Sequence, residues 1–447
     1  MSRDRRVLVV CPYFPPTNGA DCHRIRVVAP FMSKFGWRVD VLSVDPSYVD
    51  VPQDAWLQAG VPEEVQVHRS HALPLRFASI PGFGTITLRA KEFLRRKGNA
   101  LLGNVAYDLI YFSTTAFGLF SLGPYWKKRF GVPFVVDYQD PWITDYYRKH
   151  PKIVPPGGRM KYGIVERLSR FREPRVLRQC AGMTAVSQEY AKELINRYPW
   201  FAGVPKRVLP FPGSQRDFER IVQEQVQQQI FDCNDGAVHW VAVGVSGPIM
   251  YKALSGFFRA LADARSGGRL PNRLRLHFIG TSYAAPGTSE PVVIPIAKRF
   301  GVSDLVHEQT DRVPFSTALR LLLDSNALLA FGSDDPSYNA SKLLPYLLAK
   351  KPLLTVFHGE SPAVELLRNL QGSRLVEFCE ADREDEIAKR VKEIWLDDNR
   401  HSISVPIVES ALAKHTDYGQ AKELCGFFDS VVDAGATGSH PVHDGIM

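Results

Sequence analysis

The stretch VLVVCPYFPPTNGADCHRIRVVAPFM, residues 7–32, contains the three parts of a βα unit in order. Val7–Val10 is a short, continuous apolar run, which is typical of a buried parallel strand. A Pro/Gly loop follows over residues 12–19. Apolar residues then recur at helical spacing, at Ile25, Val28, Ala29 and Met32. The pattern predicts a strand, a loop and a helix that Pro30 should kink and Gly36 ends.

Apolar runs of the same kind recur along the chain, with helical stretches between most of them. In the first half they are Val39–Val44, Leu109–Phe112, Phe134–Tyr138, Met183–Val186 and Val208–Phe211. In the second half they are Val238–Gly244, Leu274–Gly280, Ala327–Phe331, Leu353–Phe357 and Arg374–Phe378. Alternating strands and helices predict parallel sheets covered on both faces, hence an α/β fold class.

The chain length of 447 residues suits two domains of about 200 residues each. We expect a first Rossmann-like domain over 1–214 and a second over 238–410. A polar segment rich in Gln, Glu and Arg, 215–237, would join them. A last helix is expected over 411–434, and a disordered tail over 435–447.

The composition of the chain limits the classes of protein and of ligand that need to be considered. The chain is 45% hydrophobic and 23% charged, as soluble globular proteins are, and no run of about 20 apolar residues predicts a membrane span. The six cysteines lack metal-site spacing, which favours a reducing, cytoplasmic location. A net charge of +8 without any nucleic-acid module points to a phosphorylated small molecule or an anionic lipid surface, and not to nucleic acid.

Two glycine-containing loops between a strand and a helix are candidate phosphate sites. Gly19 ends the first loop, and a backbone without Cβ lets a phosphate approach N–H groups at a helix start. The second loop, VGVSGPIMYK over 243–252, offers Gly244 and Gly247. Lys252 would place a cation near a leaving diphosphate. A proline-shaped loop and a solvated lysine are the alternatives.

A third candidate is SDDPSYNASK over 333–342, between a strand and a helix. Tyr338, Asn339 and Ser341 would lie at the helix start, where N–H groups are exposed. A lysine is disfavoured there by the helix dipole, so Lys342 predicts a bound diphosphate. Simple helix capping by Asn339 or Ser341 is the alternative.

A possible acceptor side is suggested by the strand that ends in Asp137-Tyr-Gln-Asp140. Asp140 lies where it could accept a proton from an acceptor hydroxyl, and His23 is a second candidate base. Turn capping before Pro141 and a structural histidine are the competing interpretations.

Basic residues mixed with apolar ones suggest contact with an anionic membrane. Residues 159–178 hold seven Lys and Arg against two Glu, and residues 80–97 hold a similar mixture that includes Arg89, Lys91 and Lys97. Solvated helix faces explain such runs equally well.

The ordered set of segments resembles the family 4-like glycosyltransferases of GT-B fold. The similarity rests on residues 7–26, on DLIYFSTTAFGLFSLGPYWKKRFGVPFVVDYQDPW over 108–142, on GMTAVSQEYAKELINRYP over 182–199 and on ASKLLPYLLAKKPLLTV over 340–356. The resemblance implies two facing Rossmann-like domains, with a C-terminal helix that crosses back to the first.

The resemblance implies a UDP- or GDP-sugar donor held by the second domain and a glycan, lipid-linked or small-molecule acceptor held by the first. It also implies retention of the anomeric configuration, no obligatory metal and no cofactor beyond the donor. Two family features are missing: an Arg before Lys252, and a ribose-binding Glu whose place falls on Pro345. A catalytically silent scaffold protein and a sugar-nucleotide epimerase therefore remain as alternatives.

Overall fold

The computed structural model describes residues 4–79, 84–144, 146–149, 158–282, 284, 287–336 and 342–436. These residues form two compact units. The first unit runs up to Pro212 and resumes at Asp417, and the second is Gly213–Thr416. Most of the tail predicted for 435–447 lies outside the described residues.

The first unit is built on a seven-stranded parallel sheet. Its strands are β1 Arg5–Val10, β2 Trp37–Val44, β3 Gln66–Ser70, β4 Leu109–Phe112, β5 Phe134–Tyr138, β6 Gly182–Ala185 and β7 Lys206–Val208, in the order β3-β2-β1-β4-β5-β6-β7. Its helices are α1 His23–Met32, α2 Ala55–Ala59, α3 Ile86–Asn104, α4 Leu122–Phe130, α5 Tyr146–Lys149, α6 Arg159–Leu177 and α7 Gln188–Arg197.

The second unit has a six-stranded parallel sheet. Its strands are β8 Val238–Val243, β9 Leu274–Ile279, β10 Val306–Gln309, β11 Ala327–Phe331, β12 Leu353–His358 and β13 Arg374–Phe378, in the order β10-β9-β8-β11-β12-β13. Its helices are α8 Gln215–Gln223, α9 Tyr251–Ser266, α10 Ile294–Arg299, α11 Phe315–Asp324, α12 Leu343–Leu348, α13 Pro362–Leu370, α14 Glu384–Val391 and α15 Glu409–Leu412.

The final helix, α16 Asp417–Ala436, belongs to the first unit and packs beside α1. The Phe428 ring lies 5.3 Å from Trp37 and 5.1 Å from Tyr111, between centroids. On β6, a Cβ on Gly182 would lie 2.9 Å from the Phe427 ring, so only glycine permits this approach. The helix therefore completes one face of the first sheet's core.

Strand β1 shows why a continuous apolar run predicts such a sheet. Leu8 and Val10 enter the core on one face, and Val7 and Val9 enter the core on the face that α1 and α16 cover. All four side chains are fully buried, because successive residues of a strand point to opposite faces. The predicted class of two Rossmann-like α/β folds with parallel sheets is confirmed.

One strand differs from its prediction. β7 spans Lys206–Val208, whereas the apolar run predicted a strand over Val208–Phe211. Pro210 and Pro212 lack an N–H group and cannot pair in a sheet interior, so pairing ends before them. Among the described helices, none combines the length and the apolar character that crossing a bilayer requires.

Candidate functional site

Each sheet has one point where the strand order changes direction. In the first unit it lies between β1 and β4, and in the second between β8 and β11. At such a point the loops at the carboxyl ends of adjacent strands separate and leave a crevice, where ligands bind in open parallel sheets. Each crevice is therefore an expected ligand-binding site.

Lys342 lies at the crevice of the second unit, directly before α12. Its Nζ donates a hydrogen bond of 3.1 Å to the carbonyl oxygen of Val245, in the loop after β8. Gly244 has a φ of +104°, and a Cβ there would lie 3.2 Å from the lysine Nζ. Both the backbone angle and the close approach of the lysine therefore require glycine.

The charge of Lys342 has no counter-ion among the described residues: no carboxylate lies within ion-pair distance. The side chain is half-buried, and burial lowers the pKa of its ammonium group to about 8. A partly desolvated cation without a counter-ion is costly, and a bound anion would relieve that cost. The geometry suits a phosphate group.

Tyr346 holds α12 against the end of β8 and was missed from the sequence. Its hydroxyl accepts a 2.6 Å hydrogen bond from the backbone N–H of Val243 and donates a 2.9 Å bond to the carbonyl of the same residue. Tyr346 follows Lys342 by four residues, which places the two on one helical face. Pro345 lies in the first turn of α12, where N–H groups have no intrahelical acceptor.

Two backbone N–H groups of the loop after β8 already donate hydrogen bonds within the protein. The N–H of Gly244 donates to the carbonyl of Ile279 at 2.8 Å, and that of Ser246 donates to Thr281 at 3.2 Å. These two groups extend the pairing with β9. Apart from its two chain neighbours, no described residue has a heavy atom within 4 Å of a Cβ placed on Gly247.

Lys252 does not join Lys342. It lies in the first turn of α9, and its Nζ donates to the carbonyls of Cys379 at 2.9 Å and Glu380 at 2.5 Å, beyond β13. It borders a cavity of about 610 Å³ whose lining also includes Asp334 and His358. The structure thus brings Gly244 and Lys342 together and places Lys252 elsewhere.

Three further predicted residues, Tyr338, Asn339 and Ser341, lie outside the described residues.

Asp140 follows β5 in the first unit and is exposed to solvent. The protein around its carboxyl partly desolvates it and raises its pKa. Its negative charge in turn contributes to the raised pKa of Asp21. A carboxyl group with a raised pKa at the carboxyl end of a strand can accept a proton from a bound hydroxyl group.

Asp21 lies at the crevice of the first unit and was not singled out from the sequence. Its carboxyl is buried and accepts hydrogen bonds from Thr114 Oγ1 at 2.7 Å and from the N–H of Thr115 at 3.4 Å. Burial outweighs these bonds and raises the pKa of Asp21 to about 6.

Gly19 packs closely against Tyr13 in this loop, because a Cβ on residue 19 would lie 2.8 Å from the Tyr13 Cβ.

His23 has hydrogen-bond partners at both ring nitrogens. Its Nε2 lies 3.1 Å from Asn18 Oδ1, and its Nδ1 accepts a 3.4 Å hydrogen bond from Arg26 Nε. The proton therefore lies on Nε2, which donates to the amide oxygen. In this arrangement neither nitrogen is left to act as a base.

Asp137 belongs to the core and not to the site. Its Oδ2 lies 2.8 Å from Arg24 Nε, and both side chains are buried. Oδ1 accepts a 2.7 Å hydrogen bond from Thr184. Of the two carboxylates that end this segment, only Asp140 faces solvent.

No protein-family model matches the chain, and no curated protein matches it in sequence. Solved structures match it in fold. Anabaena HepE in complex with UDP-glucose is 14% identical over 97% of this chain and 99% of its own, with a TM-score of 0.54. A glycosyltransferase from Rickettsia africae is 12% identical over 96% and 99%, with a TM-score of 0.58.

The N-terminal domain of Candida albicans trehalose-6-phosphate phosphatase is 14% identical over 96% of this chain and 97% of its own, with a TM-score of 0.60. At such low identities the similarity establishes a shared fold over nearly the whole chain.

Proposed function

Because the chain has the GT-B fold of glycosyltransferases, we propose that it moves a sugar from a nucleotide-diphosphate sugar to an acceptor hydroxyl or amine. The observation that carries the proposal is Lys342, a partly buried cation that has no counter-ion in the described part of the chain and lies at the crevice between β8 and β11. HepE, a protein of similar fold, was crystallised with UDP-glucose. We propose that the donor diphosphate takes the place of the Val245 carbonyl at Lys342 Nζ.

The nucleotide diphosphate leaves with added negative charge as the glycosidic bond breaks. A cation that is already positioned and desolvated stabilises that charge more strongly than a cation in water does. Lys342 meets both conditions, since the Val245 carbonyl positions its Nζ and burial lowers its pKa. Lys252 is not part of this arrangement, since its Nζ donates to the carbonyls of Cys379 and Glu380.

On the acceptor side we assign Asp140 to accept the hydrogen bond, and then the proton, of the acceptor hydroxyl. Asp21 lies on the buried side of the Asp140 carboxyl group, and the charge of Asp140 contributes to the raised pKa of Asp21. The finer properties are part of the proposal: a UDP- or GDP-sugar, no metal, retention of configuration, and a glycan, lipid-linked or small-molecule acceptor.

The test is a thermal-shift screen of the purified protein against UDP, GDP, ADP, TDP and their sugar conjugates. A ligand at 100 times its dissociation constant adds about 2.7 kcal/mol of stability. We expect one nucleotide to stabilise the protein, and Lys342→Ala to remove that stabilisation. Lys389→Ala is the matched control, since this lysine is 76% exposed on α14.

If no nucleotide shifts the unfolding transition, the transferase proposal fails and a catalytically silent protein is the better account. The proline at position 345 and the hydrogen bonds from the β8 loop to Ile279 and Thr281 would favour that alternative. If a nucleotide sugar is consumed without any acceptor present, an epimerase or hydrolase replaces the transferase.

A further inference from the structure

Helix α6 exposes apolar side chains where a surface helix normally exposes polar ones. Five large apolar residues of this 19-residue helix are between 44% and 83% exposed to solvent, namely Met160, Ile164, Val165, Leu168 and Phe171. At 3.6 residues per turn, all of them except Val165 fall within an arc of about 80°. The opposite side packs inward through Ser169, Glu173, Val176 and Leu177.

The acidic residues of α6 are turned away from that arc. Glu173 is fully buried and accepts hydrogen bonds from Tyr138, Arg197 and Tyr198. The Glu166 side chain is only 16% exposed and pairs with Arg170 at 2.7 Å. The exposed side of the helix therefore carries no exposed carboxylate.

Basic side chains lie at both margins of the apolar arc and within it: Arg167 and Lys161 fall about 20° outside its two ends, and Arg175 falls inside it. Arg159, Lys161, Arg167 and Arg175 are all exposed. The Arg175 guanidinium lies over the Phe171 ring, 3.3 Å from its centroid, which holds this cation at the level of the apolar side chains. An exposed surface that combines cations with large apolar groups is complementary to the interface of an anionic bilayer.

The second basic stretch singled out from the sequence, on α3, does not have these properties. Its apolar residues Ile86 and Leu94 are buried in the core. Arg89 is buried as well and donates to the carbonyls of Tyr48 and Leu73. Exposed Arg96 pairs with Glu92. Most of this stretch is an ordinary solvated helix with a core-facing side.

We infer that the exposed side of α6 docks on an anionic lipid membrane. Its apolar residues would enter the headgroup region, while the flanking Arg and Lys side chains contact lipid phosphates. Tyr162 of α6 donates a 3.1 Å hydrogen bond to the carbonyl of Thr144, four residues after Asp140, so the contact would bring the carboxyl end of β5 towards the membrane. The acceptor would then be lipid-linked; this last step rests on the proposed transferase function, whereas the membrane contact does not.

The test measures co-sedimentation of the full chain with vesicles of phosphatidylglycerol and phosphatidylcholine, and with vesicles of phosphatidylcholine alone. We expect at least tenfold tighter binding to the anionic vesicles, and weaker binding in 0.5 M salt. Ile164→Asp with Leu168→Asp should reduce that binding at least tenfold. Both side chains project into solvent, so the fold should persist.

Val222→Asp with Ile403→Asp is the matched control. These two residues are 61% and 54% exposed in the second unit, and the double change alters the net charge by the same amount. It should leave vesicle binding within about twofold of the unmodified protein.

The inference is overturned if the unmodified protein does not bind the anionic vesicles, or if the two double variants bind equally well. It is also overturned if Ile164→Asp with Leu168→Asp changes only the oligomeric state seen by light scattering, since a second copy would then cover α6. A nucleotide-dependent thermal shift without vesicle binding would reject this inference alone and leave the donor site standing.

Discussion

Replacement of Lys342 by methionine separates a functional lysine from a structural one. Burial lowers the pKa of this ammonium group from 10.5 to about 8. At about 1.4 kcal/mol per pKa unit, the charged form costs the folded state on the order of 3 kcal/mol at pH 7. Replacement of the lysine removes this cost, but loss of the hydrogen bond to Val245 offsets about half of the stability gained. We therefore expect Lys342→Met to be more stable by about 1 to 2 kcal/mol.

The stability difference between Lys342→Met and the parent protein should depend on pH, and this can be tested. Because the pKa is lower in the folded state, the cost is fully present below pH 8 and is lost as the pH rises towards 10.5. The stability advantage of Lys342→Met should therefore shrink between pH 8 and pH 10.5. In urea unfolding followed by circular dichroism, the two proteins should be equally stable within this range, and Lys342→Met should be the less stable one at its upper end, where only the loss of the Val245 hydrogen bond remains.

The same variant should lose donor binding. Removal of one partner of a partly buried charge pair weakens binding by about 2 kcal/mol or more, which is at least about thirtyfold. Isothermal titration with the nucleotide found by the screen measures this directly. A Lys342→Met protein that is clearly less stable than the parent at pH 7, or that binds nucleotide equally well, would refute the reasoning. Exposed Lys389→Met should change neither quantity.

Three further outcomes are expected. Asp140→Asn should lower kcat at least tenfold while nucleotide affinity, measured by titration, stays within twofold; a parallel loss of both would contradict an acceptor-side role. Arg24→Met leaves Asp137 buried without its cation and should cost about 3 to 5 kcal/mol in urea unfolding, so a loss below 1 kcal/mol would refute the ion pair's importance. Burial lowers the pKa of His277 to about 3, so below pH 6.5 the unfolded state binds one more proton than the folded state. The free energy of unfolding should therefore fall by up to about 1.4 kcal/mol for each pH unit below 6.5. His277→Gln should flatten this slope, and an unchanged slope would mean that other groups cause it.

The central strands could be predicted from the sequence to within a residue or two, and most edge strands could not. β4, β5 and β11 match their apolar runs at both ends, because both faces of a central parallel strand are buried. β13 is the exception, since it lies at a sheet edge and still matches its predicted run. β3 reads QVHRS and β10 reads VHEQ. Each lies at a sheet edge where burial is incomplete, so polar residues remain and the apolar signal is absent.

The candidate site was predictable where a residue follows a strand in a suggestive loop, as Gly244 and Asp140 do, or conflicts with its local surroundings. Lys342 stood out because a cation opposes the dipole at a helix start. Asp21 gave no such signal, since a single aspartate in a loop is ordinary. Its raised pKa depends on burial beside Thr114, 93 residues away in sequence. The orientation of Lys252 likewise depends on carbonyls beyond β13, which no local pattern reveals.

The pairing of α16 with the first unit sets an order of assembly on the ribosome. Residues 213–416 are continuous, so the second unit can fold as soon as they have emerged. The first unit begins earlier but cannot close its core until Phe427 and Phe428 arrive from the far end of the chain. Until then Trp37 and Tyr111 lack their aromatic partner. The half that is synthesised first is therefore completed last, and a fragment that ends at Pro212 should aggregate, whereas residues 213–416 should fold alone.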